Sequence, residues 1–308
     1  MSVRQPQVIT TRQAKRQIGH FGRSLVLYIV FFLLLNYGLS WVVEHYPGIY
    51  QNLDPESVNL GASILFMLLI TFIAFTISAK SLHLNMADYY TRPKIGAAKM
   101  FSLVCIGLGI ELIITSVSSL FYFFFHTNST MYEWLGVFTT KNYIIRNILY
   151  FLLIVILKPI CDEYIFRGII QRQLGHYGRY FGVLGSAVLY AIAQWNLVQA
   201  IPALLIGWYL SLITLRYHSV RPAMAIQIWI ALFSWALNIV PSKYIWIFTI
   251  IIIAVYIVAG LSIFQKQVDT HIARTGATEP KLWKILFTTP SIILCVCLFG
   301  VNVVLSLM

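Results

Sequence analysis

Asp162-Glu163-Tyr164-Ile165-Phe166-Arg167-Gly168 places two carboxylates and a guanidinium inside a stretch otherwise apolar enough to lie in a membrane. Carboxylates there can activate water, hold a cation or pair with a base. Each option needs a partner, because an isolated charge at that depth is costly. The spacing supplies two: Lys158–Asp162 and Glu163–Arg167 are i,i+4 pairs, which meet on one face of a helix. General-base or zinc chemistry usually recruits imidazole as well. The seven histidines (His20, His45, His83, His126, His176, His218, His271) all fall outside the middle of the hydrophobic runs, so the sequence offers no zinc set and no cofactor is expected. His176 and His218 sit in loops near the acidic segment and read first as solvated side chains.

The elements that must position these groups are membrane helices. The chain has 308 residues, 59% hydrophobic and 10% charged, with a mean hydropathy of +0.79; soluble domains carry about 25% charged residues. A large soluble domain is excluded. The net charge of +12 does not indicate nucleic-acid binding, because the basic residues are spread over short loops between apolar runs. Runs long enough to cross a bilayer are read at 24–43, 58–79, 100–125, 143–170, 181–196, 198–215, 222–240, 244–264 and 286–307. The fifth and sixth are short and joined by a tight polar turn at Gln194–Asn196. Outside these runs, every Lys and Arg except Lys141 and Lys243 falls on one side, and Glu44, Asp54, Glu56 and Glu133 fall on the other. That asymmetry predicts a multi-pass protein of the cell membrane with a cytoplasmic N-terminus and an external C-terminus.

The fold class is therefore all-α and polytopic, with eight to nine transmembrane helices. Its organisation reads as a basic arm over 1–23, N-terminal helices over 24–142, a core over 143–240 and C-terminal helices over 241–308. The first hydrophobic run is too long for a cleaved signal and has no small-residue cleavage site. Cys105, Cys161, Cys295 and Cys297 form no CxxC pair and are expected as free, buried thiols.

Six charges remain inside the spans: Arg146, Lys158, Arg167, Glu111, Asp162 and Glu163. They balance, which predicts one neutralised cluster shared by the third and fourth helices, with Glu111 as a structural counter-ion. A buried ion-pair network that fixes helix register is the plain alternative to chemistry here. Gly207 and Ser211, four residues apart, predict a close helix-packing seam. Trp195, Trp208, Trp229, Trp235 and Trp246 read as lipid-facing or interfacial anchors. Pro159 predicts a kink before the acidic pair. Asn128-Ser129-Thr130 matches a glycosylation acceptor, a three-residue pattern of little weight.

The acidic segment resembles the EExxFRG signature of the CAAX protease and bacteriocin-processing family of intramembrane peptidases. That family's second motif is an aromatic followed four residues later by His, and Tyr190-Ala-Ile-Ala-Gln194 occupies the matching place. Its third motif is similar to Gly207–Ser219 followed by Val220-Arg221-Pro222-Ala223-Met224-Ala225-Ile226-Gln227. The resemblance covers roughly residues 145–240 and implies a helical core of that family. It implies that Glu163, with two imidazoles, would organise a water for attack on a peptide bond. This chain departs from that pattern: both His positions carry glutamine, Gln194 and Gln227, the first Glu is Asp162, and a third-motif Asn falls on Ala231. Glutamine does not titrate near neutrality, although its amide can donate to an oxyanion. The resemblance thus implies a catalytically degraded peptidase with Asp162, Glu163 and Arg167 retained and Gln194, Gln227, Tyr190 and Glu111 lining the former site. Such a protein would bind a membrane-protein or peptide partner, in a setting such as bacteriocin immunity or envelope regulation. Two alternatives stay open: an active endopeptidase using Glu163, and a transporter or channel component. No nucleic-acid partner is expected beside the lipid bilayer.

Overall fold

The computed structural model describes residues 11–46, 55–125, 144–194, 197–239, 245–264 and 279–307. All regular structure among them is helical. We number the helices α1 (Thr11–His45), α2 (residues 55–81), α3 (Ala97–Phe125), α4 (residues 144–175), α5 (Arg179–Ile192), α6 (Leu197–Tyr217), α7 (Arg221–Ile239), α8 (Ile245–Phe264), α9 (Glu279–Phe287) and α10 (Pro290–Leu307). A short 3-10 turn, Met86–Tyr89, lies between α2 and α3. The chain is an all-α polytopic membrane protein, as its composition predicts. By length and composition Ser57–Ser81, Ala97–Ile114 and Gln199–Tyr217 can each cross a bilayer alone. The α5 helix, at 14 residues, reaches only about 21 Å and falls short of a hydrocarbon core of about 30 Å.

Two apolar clusters organise the bundle. One joins α1, α2, the second half of α4, α5, α9 and α10 around Phe21, Phe75, Phe166 and Phe181. The other joins α3, α6, α7 and α8 around Leu103, Leu210, Ile226 and Ile230. The α4 helix passes between them, packing on α5 and α6 on one side and on α2 and α7 on another. A helix so enclosed is where a charge is hardest to hydrate.

Two sequence expectations change in the structure, at the last span and at Cys297. At Pro159 helix α4 runs on without interruption: a widened π-helical segment, Phe151–Leu157, precedes it and a second, Tyr164–Gln171, follows the acidic pair. The wider turn absorbs the register in which a proline nitrogen cannot donate. The last expected span, 286–307, is not one straight helix. Lys281–Phe287 and Pro290–Val304 meet at 66°, where Pro290 starts a new helix and the Thr289 hydroxyl donates to the Ile285 carbonyl at 2.8 Å. Cys105, Cys161 and Cys295 are free and buried as expected, whereas Cys297 is exposed, on the outward face of α10.

Trp208 and Trp229 project outward, but Trp235 packs edge-on against Phe151 at 4.7 Å between ring centres. The Asn128–Thr130 tripeptide and Trp195 lie outside the described residues.

Candidate functional site

The acidic segment is where the helices are most tightly enclosed. Glu163 and Arg167 are both 0% exposed, and Arg167 Nη1 stands 2.8 Å from Glu163 Oε1. One turn earlier, Lys158 Nζ donates to Asp162 Oδ2 at 2.9 Å. The two pairs differ in surroundings, since the Lys158 side chain keeps 32% exposure while Asp162 keeps 1%. Both follow from i,i+4 spacing on α4. Glu111 of α3 lies within electrostatic range of Lys158, and α7 packs against both α3 and α4.

Arg167 is held from three directions. It pairs with Glu163, its Nη2 donates to the Gly207 carbonyl at 3.1 Å, and its guanidinium lies over the Tyr190 ring, 4.6 Å from the centroid. Tyr190 also meets Phe166 edge to face at 4.9 Å, and its hydroxyl accepts from Gln227 Nε2 at 2.9 Å. A chain of contacts thus runs Glu163–Arg167–Tyr190–Gln227, linking α4, α5 and α7. Gly207 permits it on α6: a Cβ there would sit 3.1 Å from Tyr190 Cδ1, 3.3 Å from Ala187 Cα and 3.4 Å from Arg167 Nη2.

The seam expected from Gly207 and Ser211 has a polar counterpart on α4. Gln171 Nε2 donates to the Ser211 carbonyl at 2.8 Å, one turn below the Arg167–Gly207 bond. Small residues on α6 leave those carbonyls open to a second donor, and α4 offers donors at the same four-residue spacing. Ser186 of α5 completes the α4 contact by donating to the Phe166 carbonyl at 2.7 Å. Gln171 and Ser186 were not singled out by the sequence reading. The four-residue step from Arg167 to Gln171 is the signal that could have found the first; Ser186 has none.

Glu163 keeps capacity in reserve. Its two carboxylate oxygens, with Arg167 Nε and Nη1, make no hydrogen bond among the described residues. The 2.8 Å contact is therefore ionic without an aligned N–H. The structure brings Asp162, Glu163, Arg167, Tyr190 and Gln227 into one connected core. Gln194 is half-buried in the turn that closes α5, with its backbone N–H on the Ala191 carbonyl. Among the described residues no three of His, Cys, Asp and Glu converge so as to hold a metal ion.

An open groove of about 430 Å³ adjoins this core, lined by Phe72, Tyr90, Ile160, Tyr164, Met224 and Ile228 with Arg221 at its edge. Ile160 and Tyr164 belong to the same turns of α4 as the acidic pair, so the groove and the ion pair share one helical wall. The Tyr90 hydroxyl is buried and makes no hydrogen bond among the described residues. Burial, then the neighbouring Tyr164 and Glu163, push its phenol above the ordinary value, which keeps it a neutral donor.

Residues 144–233, from the first turn of α4 well into α7, match the family model described as Rce1-like, type II CAAX prenyl endopeptidase Rce1-like. The resemblance carried by the acidic segment holds over this region. No curated protein and no solved structure matches the chain.

Proposed function

We propose that this CAAX-protease-like membrane protein binds a membrane-embedded peptide or protein segment at its inherited site without cleaving it. The observation that carries this reading is the state of Gln227. It stands where the family pattern places an imidazole, and its amide N–H donates to the Tyr190 hydroxyl at 2.9 Å. Neither the Gln227 amide nor the Tyr190 phenol can take a proton from water near neutral pH. Glu163 is enclosed with Arg167 on one helix, and Arg167 in turn reaches the Gly207 carbonyl and the Tyr190 ring, an arrangement suited to holding helices in register. The groove beside it has the size of a ligand site, which typically spans about 300–1,000 Å³. Its apolar wall and the unpaired Tyr90 hydroxyl fit an apolar side chain next to a peptide carbonyl. Bacteriocin immunity and envelope regulation are the settings the family resemblance suggests.

A second reading, intramembrane proteolysis by Glu163, draws on one observation: both carboxylate oxygens lack hydrogen bonds among the described residues, which leaves them able to accept from a water. One experiment separates the two. The purified protein is offered a peptide library alongside Glu163→Ala and the double variant Gln194→His/Gln227→His. Binding readings expect no cleavage by the native chain, with activity appearing only in the double variant. Cleavage by the native chain above the Glu163→Ala background would overturn the proposal.

A further inference from the structure

The polar ladder on α4 continues past the ion pair to Gln171, and there the helices open into a separate cavity of about 180 Å³. Its walls come from the end of α4, the start of α5, the end of α6 and the 3-10 turn before α3. We propose that this cavity binds a phosphate oxyanion.

Four features converge on that ligand. The lining is basic: Arg172 and Arg179, with the imidazoles of His176 and His218, border the space, and Arg179 and His218 stand exposed at its rim. The first turn of α5 faces it, with Arg179 and Gly182 among the lining residues. Helix-opening N–H groups lack intrahelical acceptors and favour anions; in this helix Gly182 N–H already donates to Gly178 at 2.8 Å, which leaves the three before it. Inside, Thr214 is 1% exposed and Gln171 6% exposed. The Thr214 hydroxyl and the Gln171 amide oxygen make no hydrogen bond among the described residues. A buried polar group without a partner is costly: the Thr214 hydroxyl can donate to a phosphate oxygen, whereas the Gln171 oxygen is an acceptor and is served by a ligand-bound water or a phosphate P–OH. Finally, the frame is fixed: a Cβ on Gly182 would come within 2.8 Å of the Gly175 backbone, so α4 and α5 are pinned together at the mouth.

Arg172 contributes less than its charge suggests. It donates to the Asn85 carbonyl, lies 3.7 Å from Asp88 and stacks over Tyr89 at 4.3 Å. Asp88 is therefore a neighbouring negative charge, but it is exposed and already paired. That leaves Arg179, the Thr214 hydroxyl and the α5 amides as the groups that would hold the anion. The volume admits a single head group with water and excludes a folded peptide. The phosphate could belong to a lipid head group or to a soluble phosphate.

The test uses the full chain in neutral detergent, titrated with inorganic phosphate and with acetate, and in phosphatidylcholine nanodiscs with and without phosphatidic acid. Saturable binding of inorganic phosphate, at least about tenfold tighter than acetate, is expected if the ligand is soluble. Phosphatidic acid retained in native mass spectra and not displaced by inorganic phosphate identifies the lipid head group instead. In either case Thr214→Val, which preserves side-chain shape, lowers affinity by about tenfold through one lost hydrogen bond to a charged group. Arg179→Gln at the exposed rim does the same and carries the test should the buried variant misfold. The proposal is overturned if neither phosphate source binds saturably, if acetate binds as well as phosphate, or if both variants bind like the native chain. None of these outcomes depends on whether Glu163 cleaves peptides.

Discussion

Arg167→Met is the substitution that asks most directly what the acidic segment is for. At 2.8 Å and an effective dielectric of about 20, the Glu163–Arg167 attraction is roughly 6 kcal/mol before the cost of dehydrating both ions. Methionine fills much of the same volume and removes the charge. Glu163, 0% exposed, is then left ionised without a cation, or must take up a proton. Breaking a buried pair from one side costs about 3–5 kcal/mol. The lost bond to the Gly207 carbonyl adds little, since a mid-helix carbonyl keeps its own ladder partner. Glu163→Gln, which strands the guanidinium instead, should cost a similar amount. The double variant Glu163→Gln/Arg167→Met strands neither, and should be more stable than either single variant. The expected coupling energy is about 3 kcal/mol, at the upper end for neighbouring residues. Thermal unfolding in detergent, read by loss of monodisperse protein, should fall by roughly 10 °C in each single variant and recover in the double. Additive losses, or single variants within about 1 kcal/mol of the native chain, would refute the idea that the two side chains act as one neutralised buried pair on α4.

Gly207→Ala should also destabilise, because its Cβ meets Tyr190 and the Ala187 backbone at 3.1 and 3.3 Å. Overpacking of this kind costs about 1–3 kcal/mol, so the same thermal assay should register it, while alanine at Gly19, which has nothing within 4 Å, should not. Orientation is tested by reporters: the placement of Lys and Arg predicts that a phosphatase fused after Met308 is active outside the cell and one fused before Met1 is silent. The reverse pattern would invert the topology.

Most of the helical layout is legible in the sequence because membrane helices announce themselves by length and apolarity, without needing tertiary context. The ion pairs were legible for the same local reason: Lys158, Asp162, Glu163 and Arg167 are spaced to meet on any helix. What the sequence could not disclose depends on neighbours distant along the chain. The break between α9 and α10 is set by Pro290 together with the Thr289 side chain, and hydrophobicity alone carries through it. The continuity of α4 at Pro159 rests on a π-helical widening that has no compositional signature. Tyr90 stands in a basic loop, and only the folded chain brings its hydroxyl to the groove beside Glu163.

Under the binding reading proposed above, an amide in place of an imidazole at Gln227 explains how such a site would persist without its chemistry. An imidazole facing Tyr190 offers a hydrogen bond and a titratable proton together. A glutamine supplies the hydrogen bond alone, and here it is made, at 2.9 Å. The Tyr190 ring therefore stays where Arg167 needs it, 4.6 Å beneath the guanidinium, and Arg167 stays on Glu163. Replacing Gln227 by leucine would remove that anchor and loosen the helices, whereas replacing it by histidine would keep the anchor. The structural demand at this position is met by any side chain that donates to Tyr190; the catalytic demand is met by far fewer. On that reading, a chain released from the second demand but not the first keeps Asp162, Glu163 and Arg167 and accepts glutamine at position 227; retention of thermal stability in Gln227→His but not in Gln227→Leu is the expected outcome.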